Sequence, residues 1–225
     1  MSKKIIYMDE FTVYELGELL FHKKSKFQTI DVYRHRKFGN ILFIDGDVQI
    51  AEYEEEAYSN ALTEPILKDG LAKRVAIIGG GDCGVLRQAL TFSVDSVTVV
   101  DIDEEVVNVS KKFLPKVVGN SLEDKRSKLI IGDAFEFLEK NRDFDAIIYD
   151  LTMEPVGIPK NFMEIIAGAL KKGGRFSAQC GSAYDEKRKE KINEIMKTHF
   201  TNIRFETVWV PAFIEPWIFV YGEKK

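Results

Sequence analysis

The pattern of hydrophobic and polar positions changes character along the chain. From Phe11 to Ile50, short β-branched and aromatic runs are separated by turns at Phe38-Gly39-Asn40 and Asp45-Gly46-Asp47, which predicts a small antiparallel β unit. A helical pattern follows from Glu52 to Leu67. From Val75 onward, the short apolar runs VAIIG, VTVVD, LIIG and DAIIYD alternate with helical stretches. This alternation is typical of a mostly parallel sheet covered by helices on both faces.

These patterns together predict an α/β protein. Its main body is a Rossmann-like, doubly wound sheet of the methyltransferase type, and a small antiparallel β domain precedes it. We place the β domain at residues 1–52 and the catalytic domain at 53–225. The last strands are predicted at Gly174–Gln179, Ile203–Val210 and Ile218–Tyr221, with an amphipathic helix near Asp185–His199.

Composition narrows the possible partners and the location. The 225 residues carry 32 Lys and Arg against 36 Asp and Glu, a net charge of −4, so no overall positive field is present to attract nucleic acid. Cys83 and Cys180 stand alone, without the spacing of a metal site or a disulfide framework. No apolar run reaches the length of a membrane span or a signal core. We therefore expect a cytoplasmic protein with no nucleic acid, membrane or metal partner.

A glycine-rich loop follows the first strand of the main body. Gly79, Gly81 and Gly84 fit the pattern G-x-G-x-x-G directly after an apolar run and before a helix, where the backbone can approach a ligand. The same pattern also suits a tight strand-to-helix turn. Asp101 ends the next strand, about 20 residues further on, where an acid commonly binds the ribose hydroxyls of a nucleotide. Loop and acid together favour an adenosine site.

Four acids follow four successive predicted strands: Asp82, Asp101, Asp133 and Asp150. The carboxyl ends of parallel strands share one edge of the sheet, so we expect these acids at a common rim. Asp133 also suits the N-cap of the helix that begins at Ala134. Crowded carboxylates repel one another unless a cation enters, and Asp82 would repel a pyrophosphate. The rim therefore favours a sulfonium nucleoside over a dinucleotide.

These residues resemble the polyamine aminopropyltransferase family. The resemblance extends from about His22 to Pro155 and is carried, in the family's order, by the segments HKKSKFQTIDVYR, FGNILFIDGDVQIAEYEEEAYSNAL, IIGGGDCGVLRQAL, VDIDEEVVNVSKKFLP, IIGDAFEFLE and FDAIIYDLT. It implies transfer of the aminopropyl group of decarboxylated S-adenosylmethionine to putrescine or a related amine, which leaves methylthioadenosine. It also implies a homodimer or homotetramer and no tightly bound cofactor.

The resemblance assigns a role to each matching residue. Asp150 would be the catalytic base that takes a proton from the amine, and Asp82 would hold the ammonium of the aminopropyl arm. The donor site would contain Gln28, Gly79, Gly81, Asp82, Asp101, Asp133 and Ala134, with Asp101 at the ribose and Asp133 at the adenine. The amine site would contain Gln49, Tyr58, Asp82, Asp150 and Glu154. Gln28 and Gln49 also suit ordinary strand positions, and Tyr58 a packed helix aromatic.

The chain departs from the family pattern on the acceptor side. Ser59 and Asn60 follow Tyr58 where the family has His or Gln and then Glu. The segment after Asp150 is longer than D-L-T-D-P, so the second acid is absent or is supplied by Glu154 within Met153-Glu154. Phe213 stands where a tyrosine is expected. Cys83 replaces a glycine as a packing variant, and Lys225 precedes the family's usual extension.

Two other functions stay open at this point. One is a methyltransferase that uses intact S-adenosylmethionine on the same fold. The other is a catalytically silent relative that binds the nucleoside and acts as an oligomer partner or regulator. The departures on the acceptor side motivate the silent relative, whereas Asp82, which would repel the donor's carboxylate, argues against the methyltransferase.

Overall fold

The computed structural model describes residues 5–8, 13–53, 55–151, 160–185 and 187–225. Two small antiparallel sheets come first. Their strands are β1 (Ile5–Met8) paired with β2 (Val13–Leu16), and then β3 (Leu19–Lys24), β4 (Thr29–His35), β5 (Gly39–Ile44) and β6 (Asp47–Ala51) in sequential order. The turn between β5 and β6 has positive φ angles at Asp45 (51°) and Gly46 (92°), the conformation of a tight hairpin. The predicted antiparallel β unit is confirmed.

The main sheet has seven strands, and six of them run in the same direction. The strands are β7 (Arg74–Gly79), β8 (Ser96–Asp101), β9 (Ser127–Ile131), β10 (Phe144–Asp150), β11 (Leu170–Ser182), β12 (Phe200–Val210) and β13 (Glu215–Lys224). Their order is β12-β13-β11-β10-β7-β8-β9, with β13 antiparallel to both neighbours. The Rossmann-like fold class is confirmed.

Helices cover both faces of this sheet. They are α1 (Glu56–Leu67), α2 (Gly84–Ala89), α3 (Glu104–Phe113), α4 (Pro115–Val118), α5 (Ala134–Lys140), α6 (Phe162–Ala169) and α7 (Arg188–Met196), with a 3₁₀ turn at Ser121–Glu123. Alternate residues of β7 face the two layers. Val75 and Ile77 pack toward α1 and α2, whereas Ala76 and Ile78 pack toward α5 and α6, as the period of two in a strand requires.

Helix α3 joins the main body to the N-terminal sheet. Asp103 caps its first turn by accepting a hydrogen bond from the Glu105 N–H, and acids at its start and lysines at its end suit the helix dipole. Its apolar face, including Val106 and Val109, packs against buried residues of β4, β5 and β6. A Cβ on Gly84 would lie 3.1 Å from the Ile50 Cδ1 atom of β6, so the small sheet also lies beside the end of the glycine loop. No helix in the described ranges has the length and apolar character that a membrane crossing requires.

Several predicted boundaries are wrong. Helix α1 begins at Glu56 rather than Glu52, because the backbone N–H groups of Glu52 and Tyr53 still bond to the carbonyls of Asn40 and Phe38. Helix α7 is shorter than predicted, and β11, β12 and β13 are all longer than the runs assigned to them. Pairing between distant strands extends these elements beyond the apolar residues that mark them in the sequence.

Candidate active site

The glycine loop between β7 and α2 has backbone angles and close contacts that residues with a side chain would disturb. Gly79 and Gly80 have φ angles of 80° and 74°, in the left-handed region that favours glycine. A Cβ on Gly81 would lie 2.8 Å from the Asp101 Oδ2 atom, whose carboxylate accepts the Gly81 N–H at 2.9 Å. The loop is thus fitted against the acid that ends the next strand.

Strand order brings the four predicted acids to one edge of the sheet. Strands β10, β7, β8 and β9 are parallel neighbours, so their carboxyl ends share one rim. Asp150 ends β10, Asp82 follows β7, Asp101 ends β8 and Asp133 follows β9. A Cβ on Gly80 would lie 3.0 Å from the Asp150 Oδ2 atom. The Asp150 carboxylate therefore lies against the glycine loop.

Burial and mutual repulsion perturb three of these acids. Burial raises the pKa of Asp150 well above its ordinary value, and the charges of Asp82 and Asp101 raise it further, against the hydrogen bond from Tyr58. Burial also raises the pKa of Asp82 to about 6. The hydrogen bond from the Gly84 N–H lowers this pKa, and the charges of Glu55 and Asp101 raise it. Burial is also the main cause that raises the pKa of Asp101.

These three acids have no cationic partner within the described part of the chain: no Lys or Arg there forms an ion pair with Asp82, Asp101 or Asp150. Each instead accepts hydrogen bonds from neutral groups, including the Gly84 N–H and the Asp103 N–H, both at 2.8 Å. Like charges held together without a counterion favour the entry of a cation. The rim is chemically suited to an ammonium or sulfonium ligand.

Asp133 has a local structural role at the same rim. Its Oδ1 atom accepts the N–H groups of Phe135 at 2.7 Å and Glu136 at 3.1 Å, which caps α5. Ala134, the first residue of that helix, is 9% exposed. The contacts of Asp133 are thus those of the N-cap alternative. The adenine-binding role of Asp133 and Ala134 stays a prediction.

Tyr58 connects α1 to Asp150. Its hydroxyl donates to the Asp150 Oδ1 atom at 2.5 Å. Its ring packs edge-on against Phe213 and Phe219, with centroid distances of 5.8 Å and 5.5 Å. Burial raises the pKa of Tyr58 well above 10, with the charge of Asp150 as the next cause. The raised pKa keeps the Tyr58 hydroxyl protonated, and Tyr58 is also a packed aromatic.

The two glutamines occupy different environments. The Gln28 Nε2 atom donates to the Asp103 Oδ2 atom at 3.1 Å, and the Asp103 N–H bonds to Asp101, so Gln28 lies on the Asp101 side of the rim. The Gln49 Nε2 atom bonds to the carbonyl of Asp47 in its own hairpin at 3.1 Å. The contacts of the described residues do not connect Gln49 with the acids, and its role stays a prediction.

The residues that depart from the family pattern lie around Tyr58. Ser59 is fully buried in α1, and its hydroxyl has no hydrogen-bond partner among the described residues. Asn60 is partly buried on the same helix. Phe213 stacks on Trp217 with ring centroids 4.7 Å apart. Glu154, the predicted substitute acid, lies outside the described residues, as does Met153.

Residue pairs that the sequence did not single out support this rim. Glu55, 4% exposed before α1, forms an ion pair with Arg87 of α2 and is one of the charges that raise the pKa of Asp82. The Gln179 side chain donates to the Leu151 carbonyl at 2.7 Å and accepts the Trp217 indole N–H at 2.9 Å, which fixes the backbone just after Asp150. Glu55 stands within a run of acids typical of a solvated helix start, so its local sequence does not indicate that the side chain is buried.

Comparison with known proteins assigns the family. The spermine/spermidine synthase domain model matches residues 55–225, and the spermidine synthase tetramerisation domain model matches residues 9–52. A polyamine aminopropyltransferase of Pyrococcus abyssi is 37% identical, covering 94% of this chain and 80% of that protein. The spermidine synthase of Dictyostelium discoideum is 33% identical over 88% of this chain and 72% of its own length. The chain therefore belongs to the spermine/spermidine synthase family, a family of transferases.

Solved structures give the same answer for the fold. The crystal structure of spermidine synthase from Thermotoga maritima superposes with a TM-score of 0.90 at 24% identity, covering 99% of this chain and 80% of that one. A spermidine synthase in complex with the transition-state analogue AdoDATO superposes equally well, also at 24% identity. At this level of identity the likeness concerns the fold, which agrees with the prediction.

Proposed function

We propose that the protein transfers the aminopropyl group of decarboxylated S-adenosylmethionine to a primary amine, putrescine or a related polyamine, and releases methylthioadenosine. One observation carries this proposal. The Asp150 carboxylate lies against the glycine loop, is held by the Tyr58 hydroxyl, and has Asp82 as a charged neighbour with no cationic partner in the described part of the chain. A cationic donor and a cationic acceptor would both lower the repulsion at this rim.

The donor would bind on the side of the glycine loop. Gly79 and Gly81 leave room for the nucleoside against the backbone, and Asp101 is oriented by two backbone N–H groups to receive ribose hydroxyls. Asp82 would pair with the ammonium of the aminopropyl arm. The carboxylate of intact S-adenosylmethionine would instead meet this acid, so the same residue argues against the methyltransferase alternative.

The acceptor amine has to lose a proton before it attacks. A primary ammonium has a pKa of about 10.4 in water, and a carboxylate with a raised pKa is a stronger base than an ordinary one. Asp150 would take the proton. The nitrogen lone pair then forms the new N–C bond, the C–S bond breaks, and its electron pair stays on sulfur, which leaves as a neutral thioether. No general acid is needed.

Three finer points belong to this proposal. The match to a tetramerisation domain model supports self-association through the N-terminal sheets, as a homodimer or a homotetramer.

Glu154 would be the second acid of the amine site, and Gln49 a polar contact there. The division of the chain into domains at residues 52 and 53 stays a prediction.

The test is methylthioadenosine release from decarboxylated S-adenosylmethionine with a panel of amines. We expect turnover with at least one short polyamine, and we expect Asp150→Asn to lower kcat by about 10²- to 10⁴-fold, the range of a lost general base. Asp143→Asn, an exposed acid just before β10, is the matched control and should retain full activity.

Two results would contradict the proposal. Absence of release with every amine would remove the assigned activity. Donor binding with an Asp150→Asn variant indistinguishable from the parent would favour the catalytically silent relative.

A further inference from the structure

A buried acid just before α1 has no part in the chemistry proposed above. Glu55 is 4% exposed, and its Oε1 atom forms an ion pair with Arg87 of α2. Its Oε2 atom is buried and has no hydrogen-bond partner within the described ranges. A buried carboxylate oxygen that stays unbonded costs free energy. The location of Glu55 therefore matters for what its charge can act on.

The contacts of Arg87 place Glu55 close to Asp82. The Arg87 Nε atom donates to the Val117 carbonyl at 2.9 Å, which fixes this side chain between α2 and α4. Asp82 accepts the Gly84 N–H at the start of α2. A Cβ on Gly84 would lie 3.1 Å from both the Asp82 Oδ1 atom and the Val117 Cγ1 atom. Asp82 and the Glu55–Arg87 pair thus lie around the same end of α2.

The charge of Glu55 acts on Asp82. Burial is the main cause of the raised pKa of Asp82, and Glu55 is the first of the charges that raise it further. The Arg87 side chain is 25% exposed, against 3% for that of Glu55, so water screens the positive member of the pair more than the negative one. A negative charge that repels a second carboxylate attracts a cation that enters at the same place.

A second unbonded group lies one turn further along α1. The Ser59 N–H bonds to the Glu55 carbonyl at 3.1 Å, so the two residues are neighbours on one face of the helix. The Ser59 hydroxyl is buried, and BUP-type contacts are absent for it in the part of the chain that the structure describes. Ser59 is therefore a buried but uncharged neighbour, and it allows the effect of charge to be separated from that of burial.

We infer that Glu55 is a specificity-determining residue for the donor, and that its charge, together with Asp82, makes binding depend on the positive charge of the aminopropyl arm. Arg87 holds Glu55 in place. The nucleoside part of the donor, which is neutral, would bind independently of Glu55. This inference deepens the proposed function and rests on it for the identity of the donor.

The experiment compares decarboxylated S-adenosylmethionine with methylthioadenosine, which has the same nucleoside but neither the sulfonium nor the ammonium. Calorimetry with each ligand gives the ratio of the two affinities. We expect Glu55→Gln to lower this ratio roughly threefold to tenfold, because one nearby negative charge is lost. The whole change should come from weaker binding of the decarboxylated donor. A role in folding alone would weaken both ligands equally and leave the ratio unchanged.

Three control variants separate charge, burial and shape. Glu56→Gln removes the next acid, whose carboxylate lies 3.9 Å from the Arg87 guanidinium and whose side chain is 70% exposed. Ser59→Ala removes a buried polar group that carries no charge. Both should keep the ratio of the parent. Glu55→Asp keeps the charge on a shorter side chain and should retain most of the ratio even where it lowers stability. A fall in Glu56→Gln or Ser59→Ala as large as that in Glu55→Gln overturns the inference.

A double variant keeps the inference testable if Glu55→Gln folds poorly. Glu55→Gln combined with Arg87→Gln removes both charges and leaves no unpaired ion, a replacement that buried pairs often tolerate. The ratio should fall in the same direction by a smaller factor, because the repulsion from Arg87 is lost together with the attraction from Glu55. An unchanged ratio in this variant overturns the inference.

The outcomes separate this inference from the proposed function. An unchanged ratio in Glu55→Gln, with methylthioadenosine release by the parent, overturns the role of Glu55 and leaves the activity in place. A lowered ratio, without release from the parent with any amine, supports the role of Glu55 and removes the activity. A parent protein that binds neither ligand overturns both.

Discussion

Asp82 and Asp101 accept hydrogen bonds from backbone N–H groups, whereas Asp150 is held by the hydroxyl of one side chain, Tyr58. On the side of the rim proposed to bind the donor, the backbone of the glycine loop and of the loop after β8 orients the acids. On the side proposed to bind the acceptor, the orientation of Asp150 depends on a side chain from α1. Single substitutions should therefore change the proposed acceptor side more readily than the proposed donor side.

The departures from the family pattern follow this difference. Ser59, Asn60 and Phe213 all lie on or near α1 and β13, the elements that surround Tyr58. The glycine loop keeps its left-handed glycines at 79 and 80. Cys83, which replaces a glycine, adopts a φ of 67° and is fully buried, and burial raises the pKa of its thiol to about 12, which agrees with a packing role.

Of the two sides of the rim, the one held by backbone N–H groups should show the larger effect when it is disturbed at Gly81. In Gly81→Ala the new Cβ would lie 2.8 Å from the Asp101 Oδ2 atom, so the carboxylate has to move away from both of its N–H donors. We expect methylthioadenosine to bind roughly tenfold to a hundredfold more weakly, measured by calorimetry.

Gly132→Ala is the matched control for this change. Gly132 also follows a strand at the rim, but a Cβ there would have no heavy atom within 4 Å, so binding should remain near that of the parent. Equal affinity of Gly81→Ala and the parent would show that the position of Asp101 does not matter to the nucleoside.

A smaller effect should come from the acceptor side with Tyr58→Phe. The hydroxyl lowers the pKa of Asp150 against burial, so its removal raises that pKa further. Because Asp150, the proposed base, could accept a proton only when ionised, the rising limb of the pH–rate profile should move to higher pH. Activity at neutral pH should fall about tenfold, the effect of one hydrogen bond to a charged group, while methylthioadenosine binding stays unchanged.

Tyr221→Phe serves as the control for Tyr58→Phe. Tyr221 is buried on the same face of the sheet, and its hydroxyl bonds to the Ala61 carbonyl at 2.8 Å rather than to the rim. This variant should lose stability without a change in the pH profile. A pH profile of Tyr58→Phe that coincides with that of the parent would contradict the assigned link between Tyr58 and Asp150.

The same difference explains how much the sequence alone could predict. The sheet, the glycine loop and the common rim follow from local apolar runs and from the rule that parallel strands end at one edge. The start of α1 does not follow from local apolar runs, because it depends on hydrogen bonds from Glu52 and Tyr53 to Asn40 and Phe38 of the preceding hairpin. Site residues on the donor side lie in contiguous motifs, and their roles there stay predictions from the resemblance.

Two buried acids outside the contiguous motifs were hidden for a different reason. Glu55 pairs with Arg87, 32 residues away in the chain, and nothing local marks it as buried. Glu215 acquires its position from the register of β13 against β11, and register between distant strands is not encoded in the apolar pattern of either strand. Side-chain constellations of this kind become visible only when the strands are paired.

The central claim is that Asp82, with Asp101 and Asp150, makes this rim receptive to a cationic donor without a carboxylate. Calorimetry with decarboxylated and intact S-adenosylmethionine tests it most directly, on the parent and on Asp82→Asn. Both donors carry the same ammonium, but only the intact one brings a carboxylate against these acids, so we predict that the parent binds the decarboxylated donor at least tenfold more tightly. Asp82→Asn should narrow this difference. Equal affinity of the parent for the two donors would contradict the account.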